Sequence, residues 1–287
     1  MIIVIKDVWL YKLHDGWLGK LELSFSLKKR RSVLVKNSHL GPFMVQKSFY
    51  PEDDEMTPHV YLLHPPGGMV GGDQLRLLVN LEPGSRALLT TPSFSKFYRT
   101  NGKVAYQENF FRIKSNAVLE WIPQGNIFLP KSKARIHTTF QLDKGACMIS
   151  FEILCFGSTN IIGVHEIPKK IDVSLYICKF GCVGLRDRLR VSDQQENCVN
   201  TQLGGFKISA FLFAIPANLM MLKQVQQLVR SIVDEQIGGA TLLNTLLIVR
   251  LLGNDSHKLR KLLFRIWSII RPVIIGKKAV IPRVWFT

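Results

Sequence analysis

The sequence predicts an α+β fold in which β structure dominates, built of stacked antiparallel strands and finished by a C-terminal β-α-β-α segment. Three observations predict it. Apolar and polar residues alternate with the period of a half-buried strand around residues 21–27 and again at 75–81. A unit of turn plus strand recurs roughly every thirty residues, a spacing that suits a solenoid-like stack. Beyond residue 205 the apolar spacing changes from two to three or four, which is helical. Residues 1–15 are accordingly an N-terminal extension, 16–204 a β-rich scaffold, and 205–287 a β-α-β-α part packed on the same domain.

Taken in order, Leu21, Leu23, Phe25 and Leu27 form the apolar face of a first strand, and the basic tetrad Lys28 to Arg31 then serves as a hairpin turn. Residues 51–58, bounded by Pro51 and Pro58, form an acidic loop. Alternation resumes at Leu75, Leu77, Val79 and Leu81. The recurring unit is seen at 81–88, 113–119 and 142–148, where Gly84, Asn116 and Gly145 are residue types that tolerate positive φ. Three stacked copies or three independent hairpins both satisfy this pattern. Ile208 to Ile215 reads as a buried strand stopped by Pro216, and Leu219, Leu222, Val225 and Val229 follow at helical spacing until Gly238-Gly239 breaks the helix. Leu242 to Leu252 is another apolar strand. Asn254, Asp255 and Ser256 supply capping side chains for a second helix through Leu259, Leu263 and Ile270, which Pro272 ends.

Composition narrows the function classes. With 287 residues, 47% of them hydrophobic, the chain can bury a sizeable core. Its formal charge of +17 directs attention to anionic partners, namely nucleic acid, an anionic membrane surface or an acidic protein, among which composition does not choose. The clusters at 28–31, at Lys169-Lys170 and at Arg186, Arg188 and Arg190 are not interleaved in sequence with the aromatics of a base-stacking platform, so no nucleic-acid partner is expected. Five scattered cysteines give no disulfide framework and read as reduced thiols, with Cys178 and Cys182 in the core. The first seven residues are too short and too soon charged for a signal peptide, and no uncharged apolar run is long enough to span a bilayer. A soluble, cytoplasmic protein without a membrane partner is expected.

Residues 61–73 are the most constrained stretch, Tyr61-Leu62-Leu63-His64-Pro65-Pro66-Gly67-Gly68-Met69-Val70-Gly71-Gly72-Asp73. Two prolines fix φ and four glycines open backbone conformations closed to other residues, so this is a shaped loop. Gly67 and Gly72 have the spacing of a P-loop's glycines, but Asp73 stands where the phosphate-pairing lysine belongs and would repel a nucleotide. Neither a nucleophile with its base nor a histidine pair at metal-binding spacing is found, so neither catalysis nor a high-affinity metal site is predicted. Glu120, Glu152 and Asp187 sit within apolar or arginine-rich strands and Asp73 ends the glycine loop. Buried carboxylates of this kind pair with arginine, line a wet cavity or bind a cation.

Several separated motifs, in order, resemble the UreD (UreH) family of urease accessory proteins. They are His64-Pro65-Pro66-Gly67-Gly68 with Gly71-Gly72-Asp73, Leu89-Thr90-Thr91-Pro92, Lys96-Phe97-Tyr98-Arg99, Leu119 to Gln124, Glu152 to Gly157 and Pro282 to Thr287. Ser93, Phe151 and Ser158 depart from the family's pattern. The resemblance implies a non-catalytic urease maturation chaperone. Such a protein works in a hetero-oligomeric complex with UreF, UreG and urease apoprotein, guiding Ni²⁺ in transit to the urease active site with no tightly bound cofactor. By the same resemblance, Asp73, Glu152, Asp187 and Ser95 are the expected nickel passage, His64 to Gly72 a structural loop, and Trp285 and Phe286 a partner contact. A basic module that binds nucleic acid or acidic protein, with no nickel role, is the alternative.

Overall fold

The computed structural model describes residues 16–157, 167–193, 202–231 and 236–286. The N-terminal extension, Ser158 and Thr287 lie outside the described residues, as does the side chain of Phe286.

The alternation seen in the sequence sorts side chains onto two facing sheets. One is seven-stranded, in the order β14(Cys182–Ser192), β13(Lys170–Lys179), β11(Lys133–Leu142), β8(Ala105–Ile113), β5(Gln74–Leu81), β1(Leu18–Lys28), β2(Arg31–Leu40). The main path of the other runs β16(Gln236–Leu243), β17(Leu246–Gly253), β15(Ile208–Ile215), β12(Cys147–Phe156), β9(Val118–Trp121), β6(Arg86–Thr90), β4(His59–Leu63), β3(Met44–Phe49). Short strands β7(Ser95–Phe97) and β10(Asn126–Phe128) extend it beside β12. Between the sheets lies a core that includes Leu23, Phe25, Val79, Phe111, Phe140, Met148, Leu154 and Phe213.

Among the described residues β structure dominates, with the two α-helices that the periodicities predict beyond residue 205, and the recurring unit is real. Gly84, Asn116 and Gly145 all adopt positive φ, at 71°, 57° and 73°. Their turns stack, Gly84 N–H donating to Ser115 O and Asn116 N–H to Lys144 O. Strand pairing inside the stack differs from the antiparallel expectation. β1, β5, β8, β11 and β13 pair in parallel, and so do β4, β6, β9 and β12. The reason is topological. Each turn carries the chain across to the facing sheet instead of back beside its own strand, so the next strand of the same sheet arrives one coil later, running the same way. Period-two alternation is identical in the two cases. Antiparallel hairpins border the stack, β1–β2 through the basic turn and β13–β14 at the other edge, and neither sheet closes on itself.

The C-terminal residues cover the outer face of the second sheet. Helix α1 (Leu219–Arg230) starts where Asn218 Oδ1 accepts the Met221 N–H at 2.9 Å. Helix α2 (Ser256–Ile275) starts where Asp255 accepts from His257 and Lys258 N–H, as its capping residues predict. Together with Ile149, Phe151, Ile153, Leu212 and Val249 they enclose a second core. Some boundaries fall elsewhere than expected. Gly238 and Gly239 lie inside β16, not at a helix end; an added Cβ at Gly238 would come within 2.9 Å of Val229 on α1, so close packing explains that glycine. The apolar run Leu242 to Leu252 is divided by a tight turn at Asn244, where φ is 55°. Pro272 is inside α2, and Gly276 ends the helix in the left-handed conformation, its N–H donating to Pro272 O. Cys178 and Cys182 are not core residues: they belong to the β13–β14 hairpin, Cys178 half-buried and Cys182 exposed.

Candidate functional site

The glycine loop is shaped by close approach. A Cβ on Gly68 would stand 2.6 Å from Lys96 O, and one on Gly71 would stand 2.0 Å from Thr100 Oγ1. Gly67 and Gly72 have φ of 77° and 102°. Between them Met69 is tied to β7, its N–H donating to Lys96 O and its O accepting from Tyr98 N–H. Asp73 closes the loop: its carboxylate accepts from Val70 N–H at 2.9 Å and Trp17 N–H at 3.2 Å. Pro65 and Pro66 make the turn after His64, whose carbonyl accepts the Gly67 N–H.

This loop, with β7 and β10, roofs a cavity of about 90 Å³ between the two sheets. His64, Ser95, Gln107, Asn109, Asn126 and Glu152 give it a polar lining. Glu152 belongs to β12 and points into the space between the sheets, where Asn126 Nδ2 donates to its Oε1. Burial pushes its carboxyl up to about 7, against the opposing effect of the Asn126 hydrogen bond. Burial also pulls the His64 pKa down, opposed by the charge of Asp73. Asp73 itself is outside the described lining of this cavity, occupied with the loop's backbone.

A second cavity of about 170 Å³ lies at the far end of the same interface, lined by Leu175, Asp187, Ser209, Phe211 and Arg250 among others. Arg250 Nη2 reaches Asp187 Oδ1 at 3.0 Å, so one ion pair joins the two sheets. Strand register relates the two cavities. In the first sheet Asn109, Thr138, Leu175 and Asp187 are consecutive ladder partners, and Asn109 Nδ2 donates to Thr138 Oγ1 at 3.1 Å. In the second sheet the row is Glu152, Phe211, Arg250. One strand spacing, about 4.8 Å, separates Glu152 from Phe211 of the second cavity, and two separate Asn109 from Leu175 in the facing sheet, with Thr138 between them.

Of the four passage residues expected from sequence, the fold thus brings Ser95 and Glu152 to one cavity, Asp187 to the next, and Asp73 to the loop above. Sequence reasoning missed Asn109, Asn126 and Arg250. They lie on different strands, and only the inward phase of each strand, set by its apolar neighbours, marks them as facing the core.

Glu120 takes the other course open to a buried carboxylate. It faces the helices and accepts from Trp267 Nε1 at 2.8 Å and from Arg271 Nε and Nη2, both at 2.9 Å. Arg271, wholly buried, also meets Glu52 of the acidic loop, which in turn bonds His59 Nε2 at 3.1 Å. Trp285 is folded on its own chain, half-buried, stacked on Phe264 at 4.5 Å between ring centres, with Nε1 donating to Thr90 Oγ1 at 2.8 Å. Among the described residues no three metal-ligating side chains cluster. No described helix is long and apolar enough to cross a membrane.

Comparison with known proteins identifies the family. Residues 18–286 match the family described as UreD urease accessory protein. The chain is 54% identical over 273 residues to the urease accessory protein UreD of Blochmanniella pennsylvanica, covering 95% of this chain and 96% of that one. It is 41% identical to that of Pseudomonas putida strain GB-1, covering 95% of each, and 34% identical to that of Alcanivorax borkumensis, covering 96% and 94%.

Proposed function

Since the chain belongs to the UreD family of urease accessory proteins, which places it in urease maturation, we propose that it acts there as a non-catalytic chaperone in the cytoplasm. It binds urease apoprotein and, together with UreF and UreG, guides Ni²⁺ toward the urease active site. The ion travels between the two sheets, past Glu152 and Ser95 and out by Asp187, with Asp73 stiffening the loop above the entrance.

The observation that carries this reading is the polar cavity around Glu152 within an otherwise apolar sandwich, with a second cavity at Asp187 further along the same interface. A divalent cation cannot enter such an interior without compensating charge. Glu152 supplies one negative charge, and because its carboxyl titrates at about 7 it can release a proton as the cation arrives. Amide and hydroxyl oxygens from Asn109, Asn126 and Ser95 add neutral ligands. Oxygen donors hold nickel less tightly than imidazole or thiolate, which favours passage over storage. On this route the ion passes the Phe211 side chain and then the Asp187–Arg250 pair.

The test is urease activity, together with nickel content of the purified urease, in cells that lack only this gene and carry it back as wild type or Glu152→Leu. The wild type should restore loaded, active urease; Glu152→Leu should assemble the complex yet leave urease poor in nickel. Fully loaded urease in the cells without the gene would refute the maturation role. Normal loading by a soluble Glu152→Leu protein would refute the route.

A further inference from the structure

The two sheets are not used alike. The second is buried on both faces, by the core on one side and by α1 and α2 on the other. The seven-stranded sheet has its inner face in the core, and among the described residues no helix packs on its outer face.

That open face concentrates the charge the sequence left scattered. Arg186, Arg188 and Arg190 alternate outward along β14, with side chains about 7 Å apart. Register places Tyr176, Ser174 and Asp172 of β13 beside them. Asp172 draws in three guanidinium groups: Arg188, whose Nε donates at 2.8 Å, and more distantly Arg190 and Arg135, at 3.8 and 3.9 Å. From Lys169 to Asp193 the sequence has six lysines and arginines against three aspartates, and Arg190 and Arg135 are half-exposed. The aromatic rings of the face lie beneath guanidinium groups, Arg186 over Tyr176, Arg112 over Phe110 and Arg135 over Tyr106. Such stacking fixes the guanidinium planes and leaves their N–H forks to meet carboxylates, while covering the rings on which nucleobases would stack.

The hairpin that carries the arginines ends in an exposed aromatic. Phe180, 65% exposed, sits with Gly181 in a two-residue turn, with φ of 51° and 79°. A tight turn of this kind favours asparagine at its first position, since a bulky side chain is strained at positive φ. An exposed phenylalanine in a strained position has the makings of an anchor, and the arginines run away from it along β14, Arg186 about 20 Å and Arg190 about 30 Å distant along the strand.

We propose that the β13–β14 end of this open face, with Phe180 as anchor and Arg186 and Arg190 as charged contacts, docks an acidic protein surface. The partner is urease apoprotein itself, an identification that rests on the maturation role proposed above.

The test is binding of the full-length chain to purified urease apoprotein across a salt titration. It uses the wild type, Arg186→Glu/Arg190→Glu, Phe180→Asn, and a control, Lys223→Glu/Lys261→Glu, that makes the same charge change on the helices. The arginine pair should weaken binding about tenfold or more and flatten its salt dependence, with the control near wild type. Phe180→Asn should weaken binding while raising stability to denaturant, opposite signs that a purely structural role does not give. Equal loss in both charge-reversed proteins would assign the effect to net charge and overturn the proposal. Undiminished binding by the arginine pair would overturn it as well, and so would preferential binding of a dT20 oligonucleotide at this face. Wild type that fails to bind urease apoprotein in any salt would instead overturn the maturation reading beneath it.

Discussion

Glu152→Gln separates the electrostatic part of the site from its shape. Glutamine keeps the side chain's volume and an oxygen to accept from Asn126, and removes only the charge. The native carboxyl titrates at about 7 against an ordinary 4.5, so forming the carboxylate in place costs about 3 kcal/mol. The folded state binds the proton more tightly than the unfolded chain does. The penalty is thus absent below about pH 4.5, grows as pH rises toward 7, and is complete above it. Relative to the variant, wild type should lose about 2–3 kcal/mol between about pH 5 and pH 8.5. Urea unfolding of both proteins at several pH values measures that difference. A stability gap that does not change with pH would refute the placement of an uncompensated carboxylate between the sheets. The same variant should deliver nickel poorly, because the compensating charge is gone although the cavity is intact.

Other changes test the clamp between the C-terminal helix and the β scaffold. Arg271→Met leaves Glu52 and Glu120 buried without their shared guanidinium, and denaturant unfolding should show a loss of about 3–5 kcal/mol. Full stability would mean the two carboxylates find other partners. Trp285→Phe keeps an aromatic stack on Phe264 but leaves buried Thr90 without its donor; a loss of about 1–2 kcal/mol is expected, read as a lower thermal midpoint.

Much of the fold was legible in the chain because its signals are local. Alternation at 75–81, the capping side chain of Asp255, and turn residues at Gly84, Asn116 and Gly145 each act within a few residues, and each is found as expected. Gly238-Gly239 misled because a glycine pair marks both a helix stop and a close contact, and α1 packs against that contact. The candidate site was legible only in part. Glu152 and Asp187 stand out as carboxylates in strands, but nothing in sequence says which pairs with arginine inside the interface and which with an amide.

The sequence by itself determined the family, the dominance of strands, the approximately thirty-residue coil and the shaped loop at 64–73, since these depend on residue type and short spacing. Tertiary structure alone decided that the stacked strands run parallel, because direction is set by whether a turn crosses to the facing sheet. It also decided that Asn109, Asn126 and Glu152 share one cavity, and that arginines from β11 and β14 converge on Asp172. Those contacts join residues far apart in the chain, and their geometry exists only once strand register is fixed.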